Sequence, residues 1–143
     1  MAPDRQRADA LVLFGVTGDL SWRKIFPALY ALAKSGRLDL PIVGVARAGW
    51  SLERLQQRMR ESIDHFVKGA DRSVVDQLAS RLRYVDGDYR DATTFDTVRR
   101  DLGDAQRPLH YLAIPPSMFP MVVRHLGASH CARGARVVVE KPF

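Results

Sequence analysis

The 143-residue chain has a single cysteine, Cys131, so no disulfide can form within it. That sparing use suits a reducing compartment, and a cytoplasmic setting is expected. Long apolar runs are absent. None approaches the ~18 residues that a membrane span needs, so no membrane partner is expected. The opening MAPDRQRAD is polar and lacks the apolar stretch of a secretory leader. Runs of one charge sign are missing too. The net charge is +6, but Arg5, Arg23, Lys24, Arg47, Arg58, Arg81, Arg99 and Arg133 are scattered, most with acidic neighbours. No basic run alternates with aromatics, so a nucleic-acid partner is not expected; such a surface serves solubility and suits small anionic ligands. There is no internal repeat, no low-complexity tract and no linker. No histidine pairs with carboxylates at metal-ligand spacing, and no Ser-His-Asp arrangement is visible.

What is present is a regular alternation. Apolar residues make up 46% and charged residues 27% of the chain, a globular balance for one domain. ALVLF (10–14), PIVGVA (41–46), LRYV (82–85), PLHYLAI (108–114) and ARVVVE (135–140) are short, continuous apolar runs. They predict strands buried on both faces. Between them apolar residues recur at helical spacing: Ile25, Leu29, Leu32 and Ala33; Leu55, Met59, Ile63 and Phe66; Val75, Leu78 and Leu82; Phe119, Val122, Val123 and Leu126. Ser51, Asp91 or Thr93, and Ser117 are expected as N-caps, and Gly36 as a C-cap. Pro27 should delay or kink the first helix. Residues 1–9 are a polar tail, and 10–143 read as one α/β domain. Its predicted fold is a doubly wound, Rossmann-like parallel sheet, truncated after the fifth strand. A strand end is normally followed by at least a covering helix, so the domain is expected to be incomplete.

GVTGDL (15–20) follows the first strand directly. Ligands of an open parallel sheet bind beyond the carboxyl ends of its strands. Glycine there permits a tight turn and close backbone approach, and free N–H groups with the positive helix end behind them suit a pyrophosphate. Thr17 adds a hydroxyl. The pattern is G-x-x-G, shorter than the full dinucleotide fingerprint, and a turn that binds nothing remains an alternative. Asp19 is expected to face away from phosphate and cap backbone N–H groups. After the second strand stands Arg47, where NAD-binding domains usually carry Asp or Glu for the ribose hydroxyls. A guanidinium there suits a 2′-phosphate, and so NADP; a plain surface arginine is the alternative.

Taken together, GVTGDLSWRKIFPALY, IVGVAR, YLAIPPSMF and RVVVEKPF come in an order that resembles the N-terminal part of glucose-6-phosphate dehydrogenases, from about Leu11 to Phe143. The resemblance implies an oxidoreductase of carbohydrate metabolism in the pentose phosphate pathway. It would oxidise D-glucose 6-phosphate to 6-phosphogluconolactone with hydride transfer to NADP. It implies that Gly15, Val16, Thr17 and Gly18 hold the pyrophosphate, with Asp19 and Leu20 completing the motif, and that Arg47 takes the 2′-phosphate. Asp88 and Tyr89 would lie near the cofactor, and Ile114, Pro115 and Pro116 would border its groove. Lys24 would face the sugar phosphate. Lys141 would contact both substrate and cofactor, aimed by a cis bond before Pro142.

The family's catalytic histidine belongs to a RIDHYLGKE segment beyond EKPF, so no catalytic residue is expected in this chain. SIDHFVKG, with His65, is a chance likeness: it precedes the third strand and lies on an amphipathic helix. The family's C-terminal α+β domain, which completes the sugar site and forms the homo-oligomer interface, is expected to be missing. The chain alone should bind NADP without turnover and be of low stability. A stand-alone, non-catalytic NADP-binding module is the alternative.

Overall fold

A computed structural model describes residues 7–129, 131 and 134–139. Five strands, β1 (Ala10–Phe14), β2 (Ile42–Ala46), β3 (Leu82–Asp86), β4 (Pro108–Leu112) and β5 (Arg136–Val139), form one sheet in the order β3-β2-β1-β4-β5. Every neighbouring pair is parallel. The direction of travel across the sheet reverses between β1 and β4, which is where doubly wound sheets open a crevice for ligands.

Helices cover both faces. On one side lie α1 (Phe26–Lys34), α2 (Leu52–Phe66) and α3 (Arg72–Ser80), packed on Leu11, Leu13 and Ile42. On the other lie α4 (Ala92–Leu102) and α5 (Phe119–Ala128), packed on Val12, Phe14, Val43 and Val45. β1 and β2 are buried along their whole length, as their unbroken apolar runs predict. β3 and β4 fall short of the two-sided burial expected of them: β3 is buried only at Leu82 and Val85, and β4 only at alternate positions, because β3 lies at the edge of the sheet and the far face of β4 is left partly open. β5 departs from expectation: all four residues are exposed. It is an edge strand, and an apolar run alone does not say what covers it. Among the described residues no helix is long and apolar enough to cross a membrane.

Local signals decided most boundaries. Ser51 caps α2 by accepting the Arg54 N–H, and Asp91, rather than Thr93, caps α4 by accepting the Thr93 N–H. Gly36, at φ +76°, closes α1: its N–H reaches the Ala33 carbonyl and the Arg37 N–H the Leu32 carbonyl. Other expectations gave way. Leu82 opens β3 instead of extending α3. Leu32, Phe66 and Val123 are exposed, at the margins of their apolar stripes. Ser117 caps nothing, because Pro116–Met118 form a 3-10 turn and α5 starts at Phe119 with no side-chain cap.

Pro27 neither delays nor ends the first helix. A π-helical turn, Ser21–Ile25, runs straight into α1, and the Phe26 N–H reaches back to the Ser21 carbonyl. Proline lacks an N–H and crowds the carbonyl four residues back. The wider turn before it absorbs that conflict, and Pro27 occupies the tolerated first turn of α1.

Candidate functional site

The carboxyl ends of β1 to β4 surround a groove of about 540 Å³, within the usual range for a small-molecule site. Of the residues expected at a cofactor, Gly15, Thr17, Gly18, Arg47, Asp88, Tyr89, Ile114 and Pro115 line it. Four further lining residues were not expected there: Ala46, Arg90, Ala113 and Met118.

The glycine turn is held from within. Gly15 has φ +83°, and a Cβ there would lie 2.1 Å from the Ala113 carbonyl oxygen, so the end of β4 permits only glycine. The Gly15 carbonyl accepts the Gly18 N–H at 3.0 Å and the hydroxyl of buried Ser21 at 3.1 Å. The Gly15 and Val16 N–H groups donate to the Val45 carbonyl at 2.9 and 3.3 Å. Val16 is itself buried beneath the turn, against Gly44 of β2. Three amides of the motif are thus engaged, while those of Thr17, Asp19 and Leu20 reach no acceptor among the described residues. They stand at the start of a helix over a sheet's carboxyl edge, the arrangement that receives anions. Asp19 does not cap this helix, as the sequence suggested. Its exposed carboxylate pairs with Arg23 one turn on, at 3.2 Å, and leaves the amides open.

Tyr89 ties three strand ends together. Its hydroxyl accepts the Gly15 N–H at 2.8 Å and donates to the Val45 carbonyl at 3.0 Å. Its ring meets Phe14 edge-on, with centroids 5.8 Å apart. Burial pushes its hydroxyl up to about 12, so it stays a donor over the neutral range. The rim is charged. Arg47 donates to Asp88 at 2.8 Å, and Arg90 grips the same carboxylate. The Arg90 guanidinium, and then its backbone N–H, hold Asp88 down at about 2. Behind them Asp86 accepts the Ala48 and Gly49 N–H groups and the Tyr84 hydroxyl, which fixes the loop that carries Arg47.

Other residues that the sequence singled out do not line the groove or fall outside the described residues. Lys24 is exposed and borders a separate apolar cavity of about 350 Å³, lined by Leu11, Leu13, Ile25, Leu29, Leu109 and Tyr111 among others. Leu20 is half-buried behind the turn, and Pro116 begins the 3-10 turn beyond the groove. Lys141, and Pro142 with its expected cis bond, lie outside the described residues. His65 sits in an exposed aromatic cluster, 4.5 Å from the Phe66 ring and 5.9 Å from Trp22, and does not line the groove. His110 is fully buried, its ring 5.9 Å from that of Phe14 and its Nε2 2.9 Å from the Cys131 carbonyl.

Residues 12–143 match the family model described as glucose-6-phosphate dehydrogenase, NAD binding domain. A curated relative, glucose-6-phosphate 1-dehydrogenase 1 of Mycobacterium tuberculosis, is 44% identical over 136 residues, which is 95% of this chain and 29% of the relative. The crystal structure of glucose-6-phosphate 1-dehydrogenase from Mycobacterium avium superposes with a TM-score of 0.90 at 41% identity, covering 96% of this chain and 30% of that one. A glucose-6-phosphate dehydrogenase solved with its substrate glucose-6-phosphate gives a TM-score of 0.81 at 29% identity, over 94% and 30% of the two chains. The chain therefore spans about three-tenths of the length of the relatives it matches.

Proposed function

The chain belongs to the glucose-6-phosphate dehydrogenase family, as its dinucleotide-binding part, and we propose that it binds NADP in the groove beyond β1 to β4. The observation that carries this reading is the combination at one rim: open amides of Thr17, Asp19 and Leu20 beside the glycine turn, with Arg47 across from them. The amides suit the pyrophosphate, since they are preorganised and backed by a helix start. Arg47 suits the 2′-phosphate, because a guanidinium offers two parallel donors and stays charged. Tyr89 sets the turn, and Ile114 and Pro115 wall the groove on the β4 side.

In the whole enzyme the cofactor would accept a hydride from C1 of glucose 6-phosphate. This chain's share is then to bind and orient the dinucleotide. Lys24 and Lys141 would serve the sugar-phosphate side as compact positive charges. A general base must stand within hydrogen-bond reach of the sugar hydroxyl. The base is proposed to be the histidine of the family's RIDHYLGKE segment in the longer polypeptide. The working enzyme is proposed to be a homo-oligomer of the longer polypeptide.

Fluorescence titration of the chain with NADPH and NADH tests the reading. Saturable NADPH binding, tighter than NADH, is expected. Arg47→Ala should weaken NADPH by about 10-fold, the scale of a lost charge-assisted contact at an exposed site, and leave NADH nearly unchanged. No saturable binding, or equal affinity for the two dinucleotides, refutes it.

A further inference from the structure

Arg90 lies between β3 and α4, two residues before the helix begins at Ala92. The sheet order puts the carboxyl end of β3 beside that of β2, so Arg90 arrives next to Arg47 although 43 positions separate them in the chain. Their guanidiniums meet at one atom. Asp88 Oδ2 accepts Arg47 Nη1 at 2.8 Å and Arg90 Nη2 at 2.8 Å. The two nitrogens can therefore be no farther apart than twice that distance. Arg90 Nε adds contacts of 3.1 and 3.2 Å to the two carboxylate oxygens, and the Arg90 N–H binds Oδ1 at 2.9 Å. The grip is bidentate and pinned by backbone, unlike a wandering surface pair.

Two features mark this cluster as a receiving site. Both guanidiniums share the one Asp88 carboxylate, while the second carboxylate nearby, Asp86, is turned to the Ala48 and Gly49 N–H groups and the Tyr84 hydroxyl rather than to either guanidinium. Both guanidiniums are also open to solvent, with side-chain exposures of 67% for Arg47 and 69% for Arg90. Each keeps N–H donors beyond those given to Asp88, since a guanidinium carries five. A phosphate monoester has three terminal oxygens and can accept from two such forks at once. Asp88 is less exposed, at 27%, and sits behind them.

We infer that Arg90 is the second arm of a 2′-phosphate clamp, that Arg47 is the first, and that Asp88 is the brace that holds both arms at the groove rim. The inference rests on the reading of the groove as an NADP site. Arg90 is then a specificity-determining residue. It contributes to NADP and nothing to NAD, which lacks the 2′-phosphate but shares the pyrophosphate.

That difference supplies the test. NADPH and NADH are titrated against the wild-type chain, Arg90→Ala, Arg90→Lys and Arg47→Ala, with circular dichroism to verify that each is folded. Arg90→Ala is expected to weaken NADPH by about 10-fold and NADH by less than about twofold. Arg90→Lys should recover only part of the loss, because an ammonium cannot present a planar fork. Equal weakening of both dinucleotides would assign Arg90 to the pyrophosphate or to the loop's structure and overturn the clamp. No change in either would overturn it as well. If the wild type prefers NADPH and Arg47→Ala abolishes that preference, such a result removes the second arm alone. If the wild type shows no preference, the NADP reading falls and the clamp with it.

Discussion

Replacing Tyr89 with phenylalanine removes one oxygen from the junction of three strand ends. The hydroxyl accepts the Gly15 N–H and donates to the Val45 carbonyl. Neither partner is left without a bond, because the Gly15 N–H also donates to that same Val45 carbonyl at 2.9 Å, and the Val16 N–H reaches it at 3.3 Å. The change should therefore cost the net worth of a hydrogen bond, about 1 kcal/mol, rather than the larger penalty of orphaned groups. The ring remains, and so does its edge contact with Phe14. For a domain of this size that cost lowers the melting temperature by about 3–4 °C. Tyr89→Ala removes the ring as well and should cost roughly another 2–3 kcal/mol. Urea denaturation of the three proteins measures both numbers. Since both bonds of the hydroxyl go to backbone groups of the turn that the two dinucleotides would meet alike, Tyr89→Phe should also leave the ratio of NADPH to NADH affinity as it was. A loss above about 3 kcal/mol for Tyr89→Phe would mean that the Val45 carbonyl does not satisfy the Gly15 N–H as described. No loss at all would mean that the hydroxyl ties nothing together.

Gly15→Ala places a Cβ at 2.1 Å from the Ala113 carbonyl oxygen and at φ +83°. Left-handed strain and overpacking together predict at least about 3 kcal/mol of lost stability, with loss of dinucleotide binding; wild-type behaviour in urea denaturation and NADPH titration would refute the close approach of β1 and β4. His110 predicts a pH dependence. Burial lowers its pKa below the ordinary 6.5, against the weaker opposing bond to the Cys131 carbonyl. The unfolded chain then binds the proton first, so this stability is complete above about pH 6.5 and drains away as pH falls from there toward the depressed folded value. Thermal melts between pH 8 and pH 5 should show the decline, and His110→Gln, which cannot titrate, should flatten it. Asp71 and Asp88, both held at about 2 in the fold, act at more acidic pH and do not confound that window.

The parts of the fold legible in the sequence are those set by near neighbours in the chain. ALVLF predicts a central strand because nothing polar interrupts it, and β1 is buried throughout. Ser51 and Gly36 act through N–H groups within three residues, so their roles could be read locally. Two competing local rules misled. Pro27 suggested a late start or a kink, but a π turn ahead of it lets the helix begin before the proline. Ser117 looked like a cap, but the prolines before it set a 3-10 turn and moved the helix start past it. The exposed face of β5 was not legible at all, because an apolar run fixes a strand and not its cover.

The site divides along the same line. Glycines at the end of a strand announce the turn, yet which amides are open depends on what the turn touches. Gly15 meets Tyr89 across 74 residues, and Arg47 meets Asp88 across 41. Those contacts exist only because β1, β2 and β3 lie side by side. Arg90 shows the consequence most clearly. In the chain it is one arginine among many, two positions before a helix. In the sheet it stands beside Arg47 on a shared carboxylate. A local pattern could nominate the first arm of the rim, but only the strand order brings the second one to it.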